Sequence, residues 1–313
     1  MSEPITAIVV TYNRKDLLVR CLEALLHQSI PLHCILIVDN CSTDGTYKAL
    51  IHQGFIDLDI IRYVRLPQNI GGAGGFHEGV KILSYEQPGW LWLLDDDAVA
   101  DQFALEHLVQ QAEDTLAIYG SVAVDEIPPH QTLCWPTEIQ NRDKNSNTIL
   151  LHNQLPSIIS VKNIPFLGFF IHTSLVREIG LPDRSFFISG DDAEYCARAR
   201  QQERELFLVK ESIIGHPLPV RTCINILGRK IYSLSLPPWK RYYDVRNRIL
   251  IAKKHYGNRL WLETIPGTFV RWLATFVKGE DRLLQSKAFM LGIFDGIFDR
   301  KGCRWLPGKK RYG

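Results

Sequence analysis

Four short apolar runs in the first third of the chain, Ile5 to Val10, Cys34 to Val38, Leu58 to Val64 and Trp90 to Leu94, each close on a polar or glycine-rich cluster. Between the first two, Leu17, Leu18, Cys21, Leu22, Leu25 and Leu26 keep helical spacing and define one apolar face. Strands alternating with amphipathic helices specify a parallel sheet covered by helices. In open sheets of this kind ligands bind beyond the carboxyl ends of the strands. The clusters at Thr11-Tyr12-Asn13, Asp39 to Thr46, Asn69 to Gly75 and Asp95-Asp96-Asp97 are therefore expected to line one crevice. The glycine run is expected to be a turn leading into a helix near Gly75 to Leu83.

The remaining length argues for a folded, unanchored chain. Its 313 residues, 46% hydrophobic and 22% charged, bury a sizeable core. A net charge of +2 gives no general attraction to nucleic acid, although basic residues gather late, ending in Lys309, Lys310 and Arg311. Seven scattered cysteines without a C-x-x-C pair fit a reducing compartment. Met1 to Pro4 carry no basic leader, and no apolar run approaches the roughly 20 residues needed to span a bilayer. The expected location is cytoplasmic, soluble or peripheral on the inner face of the plasma membrane.

Residues 125 to 160 lose periodicity and read as a surface insertion or a pair of poorly paired strands. Pro237-Pro238 is a boundary candidate. It divides residues 1–236, the sheet domain, from residues 237–313, helical and rich in Trp, Tyr, Phe and Arg. That last region suits an acceptor pyrophosphate, an anionic membrane surface or an ordinary helix pair.

Three consecutive aspartates after a buried strand repel one another unless positive charge lies among them. A divalent cation supplies it. With the backbone extended, Asp95 and Asp97 project to one side, suiting a hard metal that also holds phosphate oxygens, and Asp96 faces elsewhere toward a ribose or ligand. The alternative is that the three are solvated and cap a helix starting near Gln102. Asp39 ends a buried strand, where a carboxylate needs a ligand or backbone donors. Asp191-x-x-Glu194 has the spacing of a capping box, whereas Asp192 sits free of that duty at the positive end of a helix, able to take a proton.

Val10-Thr11-Tyr12-Asn13-Arg14, Val38-Asp39-Asn40-Cys41-Ser42-Thr43-Asp44-Gly45-Thr46, Asn69-Ile70-Gly71-Gly72-Ala73-Gly74-Gly75-Phe76 and Trp92-Leu93-Leu94-Asp95-Asp96-Asp97-Ala98, in this order, resemble glycosyltransferase family 2. Asp191-Asp192-Ala193-Glu194-Tyr195 and Tyr242-Tyr243-Asp244-Val245-Arg246-Asn247 make the chain most similar to its galactofuranosyltransferases and rhamnosyltransferases. The resemblance covers roughly residues 4 to 256.

It implies an α/β GT-A fold, Rossmann-like, with a mostly parallel mixed sheet, here followed by the C-terminal helical subdomain. It implies inverting transfer, with Thr11, Tyr12, Arg14, Asp39, Asn69, Gly72, Asp95 and Asp96 binding the nucleotide sugar; by themselves Thr11 and Arg14 read equally as a helix entrance and a surface charge. It makes Asp192 the catalytic base and Asp191 an acceptor-binding or orienting neighbour. His216, by itself a structural histidine, becomes a ligand of Mn²⁺ or Mg²⁺ beside Asp95 and Asp97. Gly190 stands where many relatives carry an aromatic residue, which leaves Phe169, Phe170, Phe186 and Phe187 as an apolar wall or as plain core.

The implied donor is UDP-galactofuranose, with dTDP-L-rhamnose second, and the acceptor a lipid-linked or polymeric surface glycan. Nucleotidyl transfer is disfavoured, because no glycine loop with a reactive Arg or Lys follows the first strand. A non-catalytic nucleotide-sugar-binding subunit is the rival outside enzymes. The oligomeric state is left open.

Overall fold

Strand β1 (Ile5–Thr11) is buried on both faces, sending Ile8 and Val10 to one apolar cluster and Ala7 and Val9 to another. This computed structural model describes residues 3–86, 88–127, 132–138, 148–226, 229–278 and 281–306. The basic end at Lys309, Lys310 and Arg311 lies outside them. The chain divides into two compact units, Met1–Pro182 with Tyr195–Leu218, and Asp183–Glu194 with Pro219–Gly313. The second unit thus begins before Pro237-Pro238 and takes in an earlier segment.

In the first unit β1 lies between β2 (Cys34–Asp39) and β4 (Trp90–Asp95), both parallel to it, and β3 (Ile61–Arg65) extends the parallel set beyond β2. The register sets Thr11 against Asp39 and Val10 against Asp95, so the polar ends of three strands meet at one edge. On the far side of β4 the sheet turns mixed. The other strands are β5 (Val99–Ala100), β6 (Ile118–Asp125), β7 (Thr132–Glu138), β8 (Thr148–Leu151), β9 (Ile158–Ser160), β10 (Phe169–His172) and β11 (Leu206–His216). The order runs β3-β2-β1-β4-β10-β6-β11-β5, with β10 antiparallel to both neighbours and β11 parallel to β6. The described part of the aperiodic stretch contributes β7, β8 and β9 to this sheet system.

Helix α1 (Lys15–Leu26) buries Leu18, Cys21, Leu22 and Leu25 on one sheet face, each leucine worth roughly 2 kcal/mol. Helices α2 (Thr46–His52), α3 (Gly71–Ser84), α4 (Ala104–Gln111) and α5 (Thr173–Ile179) complete the cover. The glycine run proves to be the start of α3 and not a turn before it. A Cβ on Gly75 would stand 2.4 Å from Val10 Cγ1, and one on Gly79 2.6 Å from Ile8 Cγ2. These glycines let helix and strand approach closely, a packing demand that overrides glycine's poor helix propensity. Phe169 and Phe170 are fully buried in β10 and belong to the core.

Helix α6 (Asp191–Gln201) contributes its first turn to the second unit. That unit also holds the antiparallel pair β12 (Arg221–Ile226) and β13 (Arg229–Leu234), then α7 (Pro238–His255), α8 (Ile265–Lys278) and α9 (Arg282–Ile297). Pro238 sits in the first turn of α7, where its missing N–H has no partner to lose. Gly292 and Gly296, one turn apart, let α9 lie against Tyr242, Val245 and Ile249 of α7. Asp295, which interrupts the apolar pattern of α9, is fully buried and accepts from Tyr242 Oη at 2.5 Å. Phe187 packs on Tyr243, so it too is core, and Phe186 is buried as well.

Candidate active site

In the first unit the acidic triplet does not stay extended. The chain turns at the end of β4, where Ala98 N donates to Asp95 O at 3.2 Å, and Asp96 and Asp97 lie in that turn. They then share one cation. Arg14, placed by the entrance to α1, donates from Nη1 to Asp96 Oδ1 at 3.1 Å and to Asp97 Oδ2 at 2.7 Å. Thr11 Oγ1, on the last residue of β1, donates to Asp96 Oδ2 at 2.8 Å. Burial pushes the Asp96 carboxyl up to about 6, although Arg14 and the Thr11 hydroxyl pull against it. Positive charge among these acids is thus supplied by Arg14, whose sequence readings are a nucleotide contact or a surface charge.

Asp97 also faces His216, the last residue of β11, with Oδ1 and Nε2 3.6 Å apart. Asp97 Oδ1 is buried without a hydrogen bond, as is His216 Nδ1. The ring of Trp135 lies 5.2 Å from that of His216. A carboxylate oxygen and an imidazole nitrogen are donors of the kind these ions take, and closing from 3.6 Å to about 3 Å would set them on neighbouring octahedral positions with bonds of about 2.1 Å. The donor set therefore fits Mn²⁺ or Mg²⁺. Asp95 does not complete it: among the described residues no three His, Cys, Asp or Glu side chains gather into a metal-holding group. The turn after Asp95 is the reason, since it removes the alternation that would have set Asp95 and Asp97 side by side.

Asp39 is 1% exposed and is satisfied from within the chain. Ser42 N donates to Oδ1 at 2.8 Å, and Tyr63 Oη donates to Oδ2. Next to it Asn40 reaches the start of α3, accepting from Ile70 N at 3.3 Å and donating to Gly71 O at 3.2 Å. Asn69 Oδ1 accepts from Gly71 N at 2.8 Å, and Gly72 faces open space. Tyr12 is exposed. Of these contacts, Tyr63 and Trp135 gave no sequence signal, while Asn40 and Ser42 lay within a quoted motif without a role.

In the second unit, Asp191 is the first residue of α6. Glu194, fully buried, accepts from Lys254 Nζ at 2.7 Å and pairs with His255 Nε2 at 3.2 Å. Asp192 Oδ1 accepts from Ala193 N at 2.7 Å. Burial raises both carboxyls of the Asp191–Asp192 pair, Asp191 further through its neighbour's charge, while Arg248 draws Asp192 back.

The loop before this pair holds Phe187, Ser189 and Gly190 at φ of 66°, 69° and 82°. Asn247 Nδ2 donates to the carbonyls of Phe186, Ile188 and Ser189, and Arg246 to those of Ser185, Phe186 and Gly302. This clasp offsets the cost of left-handed backbone at non-glycine residues. The Arg246-Asn247 pair was visible as a motif, but its work on the loop was not.

The architecture recurs in solved structures. The chain superposes on GalNAc-T7, solved with UDP, GalNAc and Mn²⁺, with a TM-score of 0.62 at 13% identity, over 95% of its own length and 57% of that chain. It superposes on mannosyltransferase PcManGT from Pyrobaculum calidifontis, in complex with GDP-Man and Mn²⁺, with a TM-score of 0.60 at 14% identity, over 96% and 88%. The fold is that of the GT-A glycosyltransferases.

Residues 6–166 match the glycosyl transferase family 2 pattern, and the chain belongs to that family. It is 29% identical over 255 residues to galactofuranosyltransferase GlfT1 of Mycobacterium tuberculosis (strain ATCC 25618 / H37Rv), covering 79% of this chain and 82% of that one. It is 23% identical over 325 residues to the dTDP-rhamnosyl transferase RfbF of Shigella flexneri, covering 100% and 99%. The chain is thus a glycosyltransferase whose class uses nucleotide sugars and acts on glycan acceptors.

Proposed function

We propose that the chain transfers galactofuranose from UDP-galactofuranose, with inversion, to a hydroxyl of a bacterial surface glycan that is lipid-linked or polymeric. The likeness to GlfT1 over most of both chains supports this donor. The full-length likeness to RfbF makes dTDP-L-rhamnose the second reading. Asp192 carries the mechanism: a half-buried carboxylate at a helix start, whose hold on a proton burial strengthens beyond that of an ordinary carboxylate.

Asp192 takes the proton of the acceptor hydroxyl as its oxygen bonds to the anomeric carbon, and the bond from that carbon to the diphosphate oxygen breaks on the opposite face. Asp191 orients the acceptor. Thr11, Tyr12, Arg14, Asp39, Asn69, Gly72, Asp95 and Asp96 hold the nucleotide sugar. Asp97 and His216 would hold Mn²⁺ or Mg²⁺, which when bound neutralises charge on the departing nucleotide diphosphate.

We place this work at the cytoplasmic face of the membrane. Among the described residues no helix is long and apolar enough to cross a bilayer. Exposed Phe269, Val277, Leu283, Met290 and Phe298 on and beside α8 and α9 support peripheral attachment. Failure to float with anionic liposomes would refute it. The deciding experiment incubates purified protein and Mn²⁺ with UDP-galactofuranose, dTDP-L-rhamnose and other nucleotide sugars against synthetic acceptors. A galactofuranosyl product supports the reading; transfer from another donor alone overturns the sugar assignment.

A further inference from the structure

Helix α7 places Arg241, Asp244 and Arg248 at spacings of three and four, on one face, and α8 adds Arg271 to the same neighbourhood. Arg248 Nε donates to Asp244 Oδ1 at 2.8 Å, and Arg241 Nη1 to Asp244 Oδ2 at 3.3 Å. Asp244 stays below the usual carboxylate range: burial pushes it up, but Arg248, Arg241 and Arg271 outweigh that. Arg271 shows the opposite. Burial, then Arg248, with Arg241 adding to it, press its guanidinium down to about 10 against the pull of Asp244. Arg241 Nε and Arg271 Nε are both buried with no acceptor, and Arg241 is only 1% exposed.

Three guanidiniums around one shared carboxylate make a poor stability device. A desolvated cation held beside like charges costs free energy, and two buried donors lack acceptors. They make a good anion site, because the planar guanidinium matches the paired oxygens of a phosphoryl group. Arg248 is half-exposed and so opens the cluster to a ligand. Arg248 also acts on Asp192, the residue given the base role above. An anion seated here lies within electrostatic reach of the carboxylate that receives the acceptor's proton.

We propose that Arg241, Arg248 and Arg271 bind the phosphoryl group, a diphosphate or phosphodiester, through which the acceptor glycan is attached to its carrier. The inference rests on the glycosyl-transfer reading and narrows its acceptor to one whose phosphoryl group lies within a sugar or two of the attacked hydroxyl. A polymeric glycan without phosphate does not satisfy it. The nucleotide donor offers the same chemistry, so the test separates the two sources.

The full chain is assayed with one glycan carried on a diphosphate and the same glycan on a neutral alkyl group. The native protein is expected to favour the diphosphate form at least tenfold in kcat/KM. Arg271→Gln and Arg248→Gln are each expected to erase most of that preference by raising the acceptor KM. Thermal melting guards against misfolding, and the half-exposed Arg248 supplies the safer variant.

A preference retained in both variants overturns the proposal. So does a rise confined to the donor KM, which assigns the cluster to the donor diphosphate. If no nucleotide sugar is used at all, the transfer reading fails by itself. Calorimetry with inorganic pyrophosphate in metal-free buffer then still decides the site: binding lost in Arg271→Gln supports it, and equal binding by both proteins sinks it.

Discussion

The edge of the sheet and the loop before α6 both present carboxylates, yet they hold them by different means. At the sheet edge, Thr11, Asp39 and Asp95 are the ends of paired strands, and their placement follows from backbone register. Local donors then finish the job, as Ser42 N does three residues after Asp39. At the loop, Asp191 and Asp192 follow irregular backbone whose local turns are clasped by distant side chains, with Asn247 bonding carbonyls 58 to 61 residues away. Secondary structure carries the first group, and tertiary hydrogen bonds carry the second. The sheet edge should therefore tolerate loss of a side chain with its fold intact, whereas the loop should lose geometry and stability together.

The largest expected effect tests the chemistry assigned to the loop. Asp192→Asn keeps the size and the acceptor for Ala193 N but removes the base, so kcat should fall about 1,000-fold with donor affinity unchanged. Donor titration calorimetry beside a product assay reads both; undiminished transfer removes Asp192 from the mechanism. Next comes the clasp. Asn247→Ala leaves the carbonyls of Phe186, Ile188 and Ser189 without their shared donor and should cost about 3 kcal/mol in urea unfolding. Tyr63→Phe at the sheet edge, where Asp39 keeps Ser42 N, should cost about 1 kcal/mol. Equal losses would erase the contrast.

The same division explains what could be read in the sequence. Apolar runs closed by polar residues are local signals, so β1, β2 and β4 and the acids at their ends were legible, as was the helical face of α1. The turn at Asp95 to Ala98 carries no glycine or proline to announce it. Without it, the pairing of Arg14 with Asp96 and Asp97 is hidden, and Asp95 reads as the partner of Asp97. The glycines of α3 read as a turn because their cause, Val10 and Ile8 on a strand some seventy residues earlier, is invisible along the chain. Glu194 shows only the spacing of a capping box along the chain, while Lys254 and His255, which it binds, stand about 60 residues on. Arg241 and Arg248 were seen as a basic run. Their convergence with Arg271 needed α7 and α8 in place.

A smaller effect probes the metal site proposed at the sheet edge. If Asp97 and His216 hold Mn²⁺, Asp97→Asn and His216→Ala should each weaken Mn²⁺ binding at least about tenfold, read by electron paramagnetic resonance in the presence of nucleoside diphosphate. Stability should barely change, because His216 is fixed by the backbone pairing of β11 with β6. Unaltered Mn²⁺ binding in both variants would move the metal to other residues.

The smallest expected effect is a shift in pH dependence, and its sign follows from the charges around Asp192. Burial favours the neutral carboxyl, so the acidic limb of kcat/KM should lie above the ordinary carboxylate value of about 4, with activity rising as pH climbs through it. Arg248 favours the charged form and holds that limb down. Arg248→Gln should move it to higher pH, modestly, because a half-exposed guanidinium is screened by solvent. Loss of a phosphoryl contact would lower kcat/KM at every pH, whereas loss of the charge beside Asp192 changes the shape of the profile. A displaced limb ties the arginine to the base, and a uniform drop with the limb in place confines it to acceptor binding.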